Sequence, residues 1–287
     1  METKLSYKSK EVIISPERPF TIIGERINPT RRKKLAETMA QGDFSIALED
    51  ARKQIEAGAH VLDVNAGIPG ADEPALLRGA VQAVMEFAQT PLCIDTASPE
   101  ALKAALEVYP GKALINSTTA EESMMQRVFP LARQFGAAVI GVITDENGVP
   151  PTPERRLAVA GKLIQRAGDY GIPPEDIVID CLALTVGADH NAGRITLDSV
   201  ALVRDELGVN LSLGASNVSF GLPDRKIINV AYLALAIARG LTVAITDPTV
   251  PEIQTTLLAC DLLIGRDEYA MRWIKAFRKR TVAAPAQ

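Results

Sequence analysis

The stretch AGAHVLDVNAG at residues 57–67 contains the unit from which this chain is built. Its centre, residues 60–65, is short, rich in β-branched residues and almost continuously apolar, and it follows an amphipathic stretch that ends at a glycine. Parallel strands that are buried on both faces have this composition, whereas half-exposed strands alternate apolar and polar residues. The pattern therefore predicts a buried parallel strand preceded by a helix.

The same unit recurs along the chain. Strand-like runs lie at residues 20–24, 60–65, 92–95, 113–116, 137–143, 177–181, 210–214 and 241–245. Stretches with helix-capping signals lie between several of them, at residues 43–57, 98–109, 152–170 and 224–238. Eight strands that alternate with about eight helices predict an α/β fold, the TIM-type (β/α)8 barrel. A doubly wound open sheet is the alternative, but it usually has a glycine-rich phosphate turn after its first strand, where this chain has GERINP.

Length and composition limit the possible functions. The 287 residues fit one barrel domain over residues 20–287 after an N-terminal lead of residues 1–19. A net charge of −4 lacks the basic field of a nucleic-acid-binding protein, and no run reaches the roughly 18 apolar residues of a membrane helix. Three scattered cysteines indicate neither a disulfide framework nor a metal site. We therefore expect a cytoplasmic enzyme that binds no metal, nucleic acid or membrane.

Polar residues collect at the carboxyl ends of the predicted strands, where barrel enzymes place their active sites. The residues at or near these ends are Glu25, Asp63, Asn65, Asp95, Asn116, Asp180, Gly214, Ser216 and Asn217. Carboxylates accept paired hydrogen bonds from adjacent N–H groups, and carboxamides offer one donor and one acceptor. This combination suits a planar, nitrogen-rich heterocycle such as a pterin or a purine. Any single aspartate here is as readily explained as a loop anchor or a helix cap, so only their convergence indicates a site.

Six segments of the chain also resemble one protein family. In order, they are IGERINP (23–29), LDVNAG (62–67), LCIDT (92–96), INSTT (115–119), VIDC (178–181) and GASNVSFGLP (214–223). Together they resemble the pterin-binding methyltransferases, which include methyltetrahydrofolate:corrinoid/iron–sulfur protein methyltransferase and the folate-binding module of cobalamin-dependent methionine synthase. The resemblance covers about residues 20–275 and implies a dihydropteroate synthase-like barrel. GADHNAG (187–193) is most similar to the methyltransferase components of anaerobic O-demethylase and betaine-demethylase systems.

The resemblance implies roles for individual residues. Asp180 is expected to bind the amino-pyrimidine edge of the pterin, Asn116 and Asp95 the remaining ring edge, and Asn217 the methyl-carrying N5. Asn217 and Asp95 are also the expected catalytic residues. Further pterin-binding residues are expected in the same motifs, at Glu25, Asp63, Asn65, Gly214 and Ser216. His190 and Arg225 are expected to face a partner protein.

The implied activity is methyl transfer between a corrinoid protein and N5 of tetrahydrofolate, as the tetrahydrofolate-methylating component of a demethylase system. The resemblance also implies that the corrinoid, a cobalamin, arrives on a separate protein, and the sequence itself has no DxHxxG corrinoid-binding pattern. The family also implies a homodimer. The sequence does not give the direction of transfer. It also does not say whether the methyl group originates from an aryl ether, a betaine or acetyl-CoA metabolism.

Three other functions compete with this interpretation. Dihydropteroate synthase should have a Ser-Thr-Arg segment after the second strand and a basic residue with a histidine near the eighth, where this chain has NAGIPGADEP and ITDPTV. A non-catalytic folate-binding subunit would share the pterin site. An unrelated barrel aldolase or lyase would need a Schiff-base lysine at a strand end or a metal cluster, and the sequence offers neither.

Three further features have simple structural explanations. His60 is expected to be a packed core histidine. The run Arg31 to Lys34 (RRKK) either meets the glutamate tail of folate or forms a solvated helix face. Cys181 follows Asp180 in a strand and should point to the opposite side, which predicts a packed thiol rather than a reactive one.

Overall fold

The computed structural model describes residues 1–283, and its strands form a hairpin and a barrel. The strands are β1 (Thr3–Tyr7), β2 (Lys10–Ile14), β3 (Thr21–Ile27), β4 (Val61–Asn65), β5 (Leu92–Asp95), β6 (Leu114–Thr119), β7 (Ala138–Val142), β8 (Ile177–Asp180), β9 (Asn210–Ser212) and β10 (Val243–Thr246). Strands β3 to β9 pair in parallel in chain order, and β10 pairs with β3. Hydrogen bonds from the Thr242 and Ile245 amides to the Leu211 and Leu213 carbonyls (3.2 and 3.0 Å) close the sheet. The predicted (β/α)8 barrel is confirmed, and each predicted strand coincides with a barrel strand.

Helices follow the strands and surround the barrel. They are α1 (Lys33–Ala40), α2 (Ser45–Glu56), α3 (Glu73–Ala88), α4 (Pro99–Leu106), α5 (Glu122–Phe135), α6 (Pro153–Asp169), α7 (Ala192–Leu207), α8 (Arg225–Ala238), α9 (Pro251–Leu263) and α10 (Met271–Ala283). The predicted caps at Ser98 and Thr152 are confirmed: the Ser98 hydroxyl accepts from the Ala101 amide (3.2 Å) at the start of α4, and the Thr152 hydroxyl accepts from the Arg155 amide (3.4 Å) at the start of α6. Helix α2 begins two residues later than predicted, because the Asp43 carboxylate accepts from the Ser45 amide (2.8 Å) in a turn that precedes the helix.

The N-terminal lead forms an antiparallel hairpin of β1 and β2. Its buried side chains Leu5, Val12 and Ile14 share one apolar cluster with residues that point into the barrel. These inward residues are Ile23, Val61, Cys93, Leu114, Ala138, Ile140, Val178 and Val243. The hairpin therefore packs against the interior of the barrel, on the side away from the carboxyl ends of the strands.

The alternation of side chains along each strand places the polar residues above this apolar cluster. Asp63 lies two residues beyond Val61, Asp95 two beyond Cys93, and Asp180 two beyond Val178, so each points into the barrel like its apolar neighbour. The residues between them face outward and pack against the helices in the main core. The lower interior of the barrel is thus filled and apolar, and the upper interior is polar.

Candidate active site

A cavity of about 750 Å³ lies at the carboxyl ends of the barrel strands. Most of the predicted site residues line it, namely Glu25, Asp63, Asp95, Asn116, Asp180, Gly214, Ser216, Asn217 and Arg225. Neither Asn65 nor His190 is among the lining residues. The cavity volume is in the range of pockets that bind small organic ligands.

Hydrogen bonds join the side chains of three neighbouring strands on the cavity floor. Asn116 of β6 donates from Nδ2 to Oδ1 of Asp63 on β4, at 3.1 Å. Asp95 of β5 lies between them and hydrogen-bonds to the side chains of Asn65 and Asp63. Asn65 therefore contacts the cavity-lining Asp95 without lining the cavity itself. Its own Oδ1 accepts from the Gly67 amide at 2.9 Å.

Burial raises the pKa of the two carboxyl groups on the cavity floor, those of Asp63 and Asp95. Asp63 is only 3% exposed, and burial, reinforced by the nearby charge of Asp95, raises the pKa of its carboxyl well above the usual range. Burial also raises the pKa of Asp95 to about 6, although hydrogen bonds from Asn65 and Asp63 act in the opposite direction. The Asp63–Asp95 pair can therefore hold a proton close to neutral pH.

Asp180 ends β8 on the opposite side of the barrel. Burial raises the pKa of its carboxyl to about 6, although the amides of Leu182 and Gly214 donate hydrogen bonds to it. The Leu182 amide lies 2.7 Å from Oδ1, and Leu182 has a positive φ of 54°. The buried Arg156 of α6 fixes this turn, because its Nη1 donates to the carbonyls of Cys181 (2.9 Å) and Leu182 (3.3 Å). A side chain from the helix layer thus positions the Asp180 loop.

Asn217 lies in the short 3-10 turn Ala215–Ser219 after β9. Its amide side chain packs directly over Gly214, where a Cβ atom would come within 2.9 Å of Nδ2. A side chain at position 214 would displace Asn217, so the glycine is needed for this close approach. Among the described side chains, those of residues 1–279, Asn217 has no hydrogen-bond partner, and both its donor and its acceptor are available to a ligand.

Glu25 is a further titratable group of the cavity. Burial, followed by the charge of Asp247, raises the pKa of its carboxyl to about 7, whereas Arg26, Arg225 and a hydrogen bond with Ser216 act to lower it. Its position depends on Gln54 of α2, whose Oε1 accepts from the Arg26 amide at 2.9 Å. Gly24 leaves the space for this contact, since a Cβ there would lie 2.4 Å from Gln54 Oε1.

Arginines and one phenylalanine line the outer part of the cavity. Arg26 lies 3.7 Å from Asp247, and Arg32 lies 2.6 Å from Asp50. The exposed ring of Phe220 lies beneath the guanidinium groups of Arg31 and Arg225, with Cζ-to-centroid distances of 4.9 and 5.9 Å. Phe220 and Arg26 were not predicted as site residues, although both occur inside the motifs that resemble the family.

The geometry agrees with one family. A model of the family of pterin binding enzymes matches residues 24–247, from within β3 to the end of the last barrel strand. The chain belongs to the pterin-binding enzyme family. The family resemblance of its strand-end motifs is thereby confirmed.

Individual relatives of this pterin-binding enzyme differ in how much of their length it covers. It is 30% identical over 264 residues to the methylcorrinoid:tetrahydrofolate methyltransferase of Eubacterium limosum. That match covers 90% of this chain and 96% of the relative. It is 28% identical over 291 residues to the methionine synthase of Mycobacterium tuberculosis. That match covers 92% of this chain but only 24% of the longer methionine synthase.

Solved structures of dihydropteroate synthases share the fold of this pterin-binding enzyme. The Yersinia pestis enzyme, solved with a pterine–sulfa conjugate, superposes with a TM-score of 0.70 at 16% identity, covering 91% of this chain and 98% of that one. The Vibrio fischeri enzyme has a TM-score of 0.69 at 17% identity, covering 92% of this chain and 98% of its own. At such identities the likeness shows the barrel fold alone.

The remaining predictions for this pterin-binding enzyme have mixed outcomes. His60 Nδ1 accepts from the Ile22 amide (3.0 Å), which confirms a packed and hydrogen-bonded histidine, and burial lowers its pKa to about 4. Cys181 is fully buried on the helix side, as predicted. His190 is 90% exposed outside the cavity. The basic run is divided: Arg31 and Arg32 line the cavity, whereas Lys33 and Lys34 are exposed outside it.

Residues 1–283 contain neither a cluster of metal-ligating side chains nor a helix suited to span a membrane. No three histidine, cysteine, aspartate or glutamate side chains there are grouped so that they could hold a metal ion. None of the helices in that range combines the length and the apolar character that a bilayer span requires.

Proposed function

We propose that this pterin-binding enzyme transfers a methyl group between N5 of tetrahydrofolate and a corrinoid carried by a separate protein, as the tetrahydrofolate-methylating component of a demethylase system. The observation that carries the proposal is the cavity floor, where carboxyl groups converge with the uncommitted amide of Asn217. The E. limosum relative, named a methylcorrinoid:tetrahydrofolate methyltransferase, matches nearly end to end and supports the same reaction.

The floor has the hydrogen-bonding groups that a pterin requires. We assign Asp180 to the amino-pyrimidine edge, where an ionised carboxylate accepts two parallel N–H bonds. Asn116 donates from Nδ2 to Asp63, so its Oδ1 remains as an acceptor for the edge of the pterin ring. Asp95 completes that edge, while Glu25, Ser216 and Gly214 line the cavity around it. These assignments place the plane of the pterin across the top of the barrel.

The chemistry at N5 defines the task of the enzyme. An amine anion is a very poor leaving group, so N5 must gain a proton as its methyl group leaves; in the reverse direction N5 attacks as a neutral amine and then loses that proton. Only groups that stabilise the developing charge at N5 more than they stabilise the ground state accelerate the step. Asn217 suits this role because its amide can present either a donor or an acceptor. We propose that the proton passes between N5 and solvent at Asn217, with Asp95 as the linked carboxyl group.

The corrinoid supplies the cobalt that accepts or donates the methyl group, and we propose that it enters as a substrate on its own protein. His190 and Arg225 are the residues we expect to face that protein. The exposed position of His190 on the loop after β8 supports this expectation. Arg225 lies at the start of α8, at the edge of the cavity.

We also propose a homodimer that acts in the cytoplasm. Large apolar side chains are exposed near the C-terminal helix, including Leu263, Tyr269 and Met271, and such a surface supports burial against a second subunit. All three cysteines are free and buried, which agrees with a reducing compartment. Sedimentation equilibrium at micromolar concentration would test the dimer.

A spectroscopic assay tests the proposed function. The purified protein is mixed with methylcobalamin or a methylated corrinoid protein, and the loss of the methyl-cobalt absorbance is followed with and without tetrahydrofolate. We expect loss that requires both the enzyme and tetrahydrofolate. Tetrahydrofolate binding without transfer to or from any corrinoid would indicate a binding subunit instead. Condensation of a pterin pyrophosphate with p-aminobenzoate would indicate a dihydropteroate synthase.

A further inference from the structure

The arginine that reaches the Asp180 loop from α6 is a buried cation without a carboxylate partner. Arg156 is only 2% exposed, and although burial lowers the pKa of its guanidinium, an arginine stays charged at neutral pH. Of the carboxylates whose side chains the structure describes, none lies within ion-pair distance of it. A buried charge without a counter-ion costs free energy that a neutral residue would avoid, so packing alone does not explain this arginine.

The donors of the guanidinium bind neutral groups in the surrounding loops and helices instead. Nε donates to the Pro150 carbonyl (3.1 Å) in the loop before α6, and Nη1 donates to the Thr196 hydroxyl (3.0 Å) of α7. Nη1 also donates to the carbonyls of Cys181 (2.9 Å) and Leu182 (3.3 Å). The guanidinium therefore joins the loops that follow β7 and β8, at the end of the barrel where the cavity lies.

A single peptide group connects this cation to the Asp180 carboxylate. The peptide bond between Cys181 and Leu182 is trans, so its carbonyl and its N–H point in opposite directions. The carbonyl oxygen accepts from Arg156 Nη1 at 2.9 Å, and the N–H donates to Asp180 Oδ1 at 2.7 Å. Hydrogen bonds at the two ends of one peptide group polarise each other, so the cation strengthens the bond to the carboxylate.

We propose that Arg156 is a positioning residue of the pterin site, which holds the Asp180 carboxylate in place and in its ionised form through the Cys181–Leu182 peptide group. The proposal rests on the proposed function, in which that carboxylate accepts two N–H bonds from the ligand. Arg156 does not itself line the cavity, so it acts through the loop. A neutral amide at this position would bind the same carbonyls, and the charge matters because it favours a carboxylate over a protonated acid at Asp180.

The surroundings of Asp180 contain one charged group that acts on it. Burial raises the pKa of Asp180 to about 6, and the charge of Arg156 acts in the opposite direction. The other titratable groups that interact with Asp180 are the Cys181 thiol beside it and the Tyr232 phenol of α8. Burial raises the pKa of both, so both are neutral between about pH 5 and pH 8. The residues that pair with Asp180 on β7 and β9 are a valine and a serine, which do not titrate.

The test measures the titration of Asp180 and the binding of tetrahydrofolate separately. Carboxyl ¹³C NMR of aspartate-labelled free protein follows Asp180, whose signal is assigned by its loss in Asp180→Asn, and calorimetry gives the tetrahydrofolate Kd from pH 6 to pH 8. Arg156→Gln removes the charge but keeps a donor, and Arg156→Lys keeps a charge without the fork. Arg155→Gln is the matched control for charge, because it removes an exposed cation from the same helix. Val84→Ala is the control for stability, because it truncates a buried valine of α3, which packs against β4 and β5.

We expect Arg156→Gln to move the midpoint of the Asp180 titration up by about one pH unit, the low end of the effect of a nearby opposite charge. Its tetrahydrofolate Kd at pH 8 should rise about five- to twentyfold, part of the value of a charge-assisted hydrogen bond. The ratio of this Kd to that of the wild type should grow toward pH 6, because Asp180 is protonated first in the variant. Arg156→Lys should fall between in both measurements. Both controls should match the wild type, although Val84→Ala lowers the free energy of unfolding.

A purely structural role would give a different pattern and overturn the proposal. In that case Arg156→Gln, like Val84→Ala, lowers Tm but leaves the Asp180 midpoint and the tetrahydrofolate Kd at their wild-type values. If Arg156→Gln does not fold, Arg156→Lys decides, and wild-type values in that variant contradict the proposal. If the wild type does not bind tetrahydrofolate, the proposed function fails. The Asp180 midpoint in the free protein then still decides on Arg156: a raised midpoint in Arg156→Gln supports the link between the two residues, and an unchanged one excludes it.

Discussion

Asn116 on β6 donates a 3.1 Å hydrogen bond to Asp63 on β4, and this bond spans the intervening strand β5. It fixes the orientation of a carboxamide that faces the cavity. With Nδ2 committed to Asp63, Asn116 presents Oδ1 to the ligand, and the same contact keeps Asp63 beside Asp95. This one hydrogen bond therefore determines which groups β4 and β6 present to a pterin.

Replacing Asp63 tests whether that orientation matters. Asp63→Ala removes the carboxyl oxygen that accepts from Asn116 Nδ2, so the Asn116 carboxamide loses this partner and can rotate. We expect tetrahydrofolate affinity to fall about three- to tenfold, the value of one net hydrogen bond. Asp63→Asn keeps an acceptor in the same place and should retain affinity closer to the wild type. Calorimetry on both variants measures the difference, and equal losses would mean that Asp63 acts through its charge instead.

Asp180 should give pterin binding a characteristic pH dependence. Its pKa in the free protein is raised to about 6, and the ionised form accepts the ligand N–H groups, so protonation below that pH competes with binding. We expect Asp180→Asn to weaken binding about 10- to 150-fold at pH 8, the value of a charge-assisted bond. The ratio of the two dissociation constants should shrink toward pH 5. The titration of N5 itself cancels in this ratio, and a ratio independent of pH would exclude an ionised Asp180 as the binding group.

Asn217 should affect rate more than affinity. Its side chain has no hydrogen-bond partner among the described side chains, and we assign it to the charge that develops at N5. Loss of one such transition-state hydrogen bond typically costs about 2.7–4 kcal/mol, on the order of 100- to 1000-fold in rate. Stopped-flow measurement of methyl transfer by Asn217→Ala gives the loss, and the tetrahydrofolate Kd of the same variant shows whether the site is intact. Transfer at the wild-type rate would remove Asn217 from the mechanism.

Glu25 should make the free protein less stable as the pH rises. Its folded-state pKa is raised from 4.5 to about 7, so the folded protein binds this proton more tightly than the unfolded chain does. The stability contribution of the protonated carboxyl is therefore lost progressively between about pH 4.5 and pH 7. Glu25→Gln cannot ionise, and its free energy of unfolding in urea should exceed that of the wild type by more at pH 8 than at pH 5. A pH-independent difference would contradict the raised pKa.

The sequence predicted the barrel because buried parallel strands have a distinctive composition that does not depend on distant contacts. It also predicted the polar floor of the cavity, because the alternation of side chains along each strand points Asp63, Asp95 and Asp180 into the barrel. The hairpin of β1 and β2 was missed, although Leu5 and Tyr7 alternate with polar residues in β1. Its partners are inward residues of strands far along the chain, and only the closed barrel brings them together.

The residues that support the site were harder to predict than the site itself. Arg156 reaches the Asp180 loop from a helix, and Gln54 holds the Arg26 amide from another, so neither lies in a strand-end motif. Phe220 lies within such a motif, but only the structure shows that its ring contacts Arg31 and Arg225 at the cavity. Long-range contacts of this kind have no local sequence pattern.

The most direct measurement follows the methyl group itself. Tetrahydrofolate and methylcobalamin labelled with ¹³C in its methyl group are incubated with the enzyme, and the label is located by NMR. We predict an enzyme-dependent loss of the cobalt-bound methyl resonance with an equal gain of the resonance of the methyl group on N5 of tetrahydrofolate, slowed in Asn217→Ala. Methyl transfer as the function would be contradicted if the label stayed on cobalt although calorimetry shows that tetrahydrofolate is bound. The same retention must then be seen with a cognate methylated corrinoid protein in place of methylcobalamin.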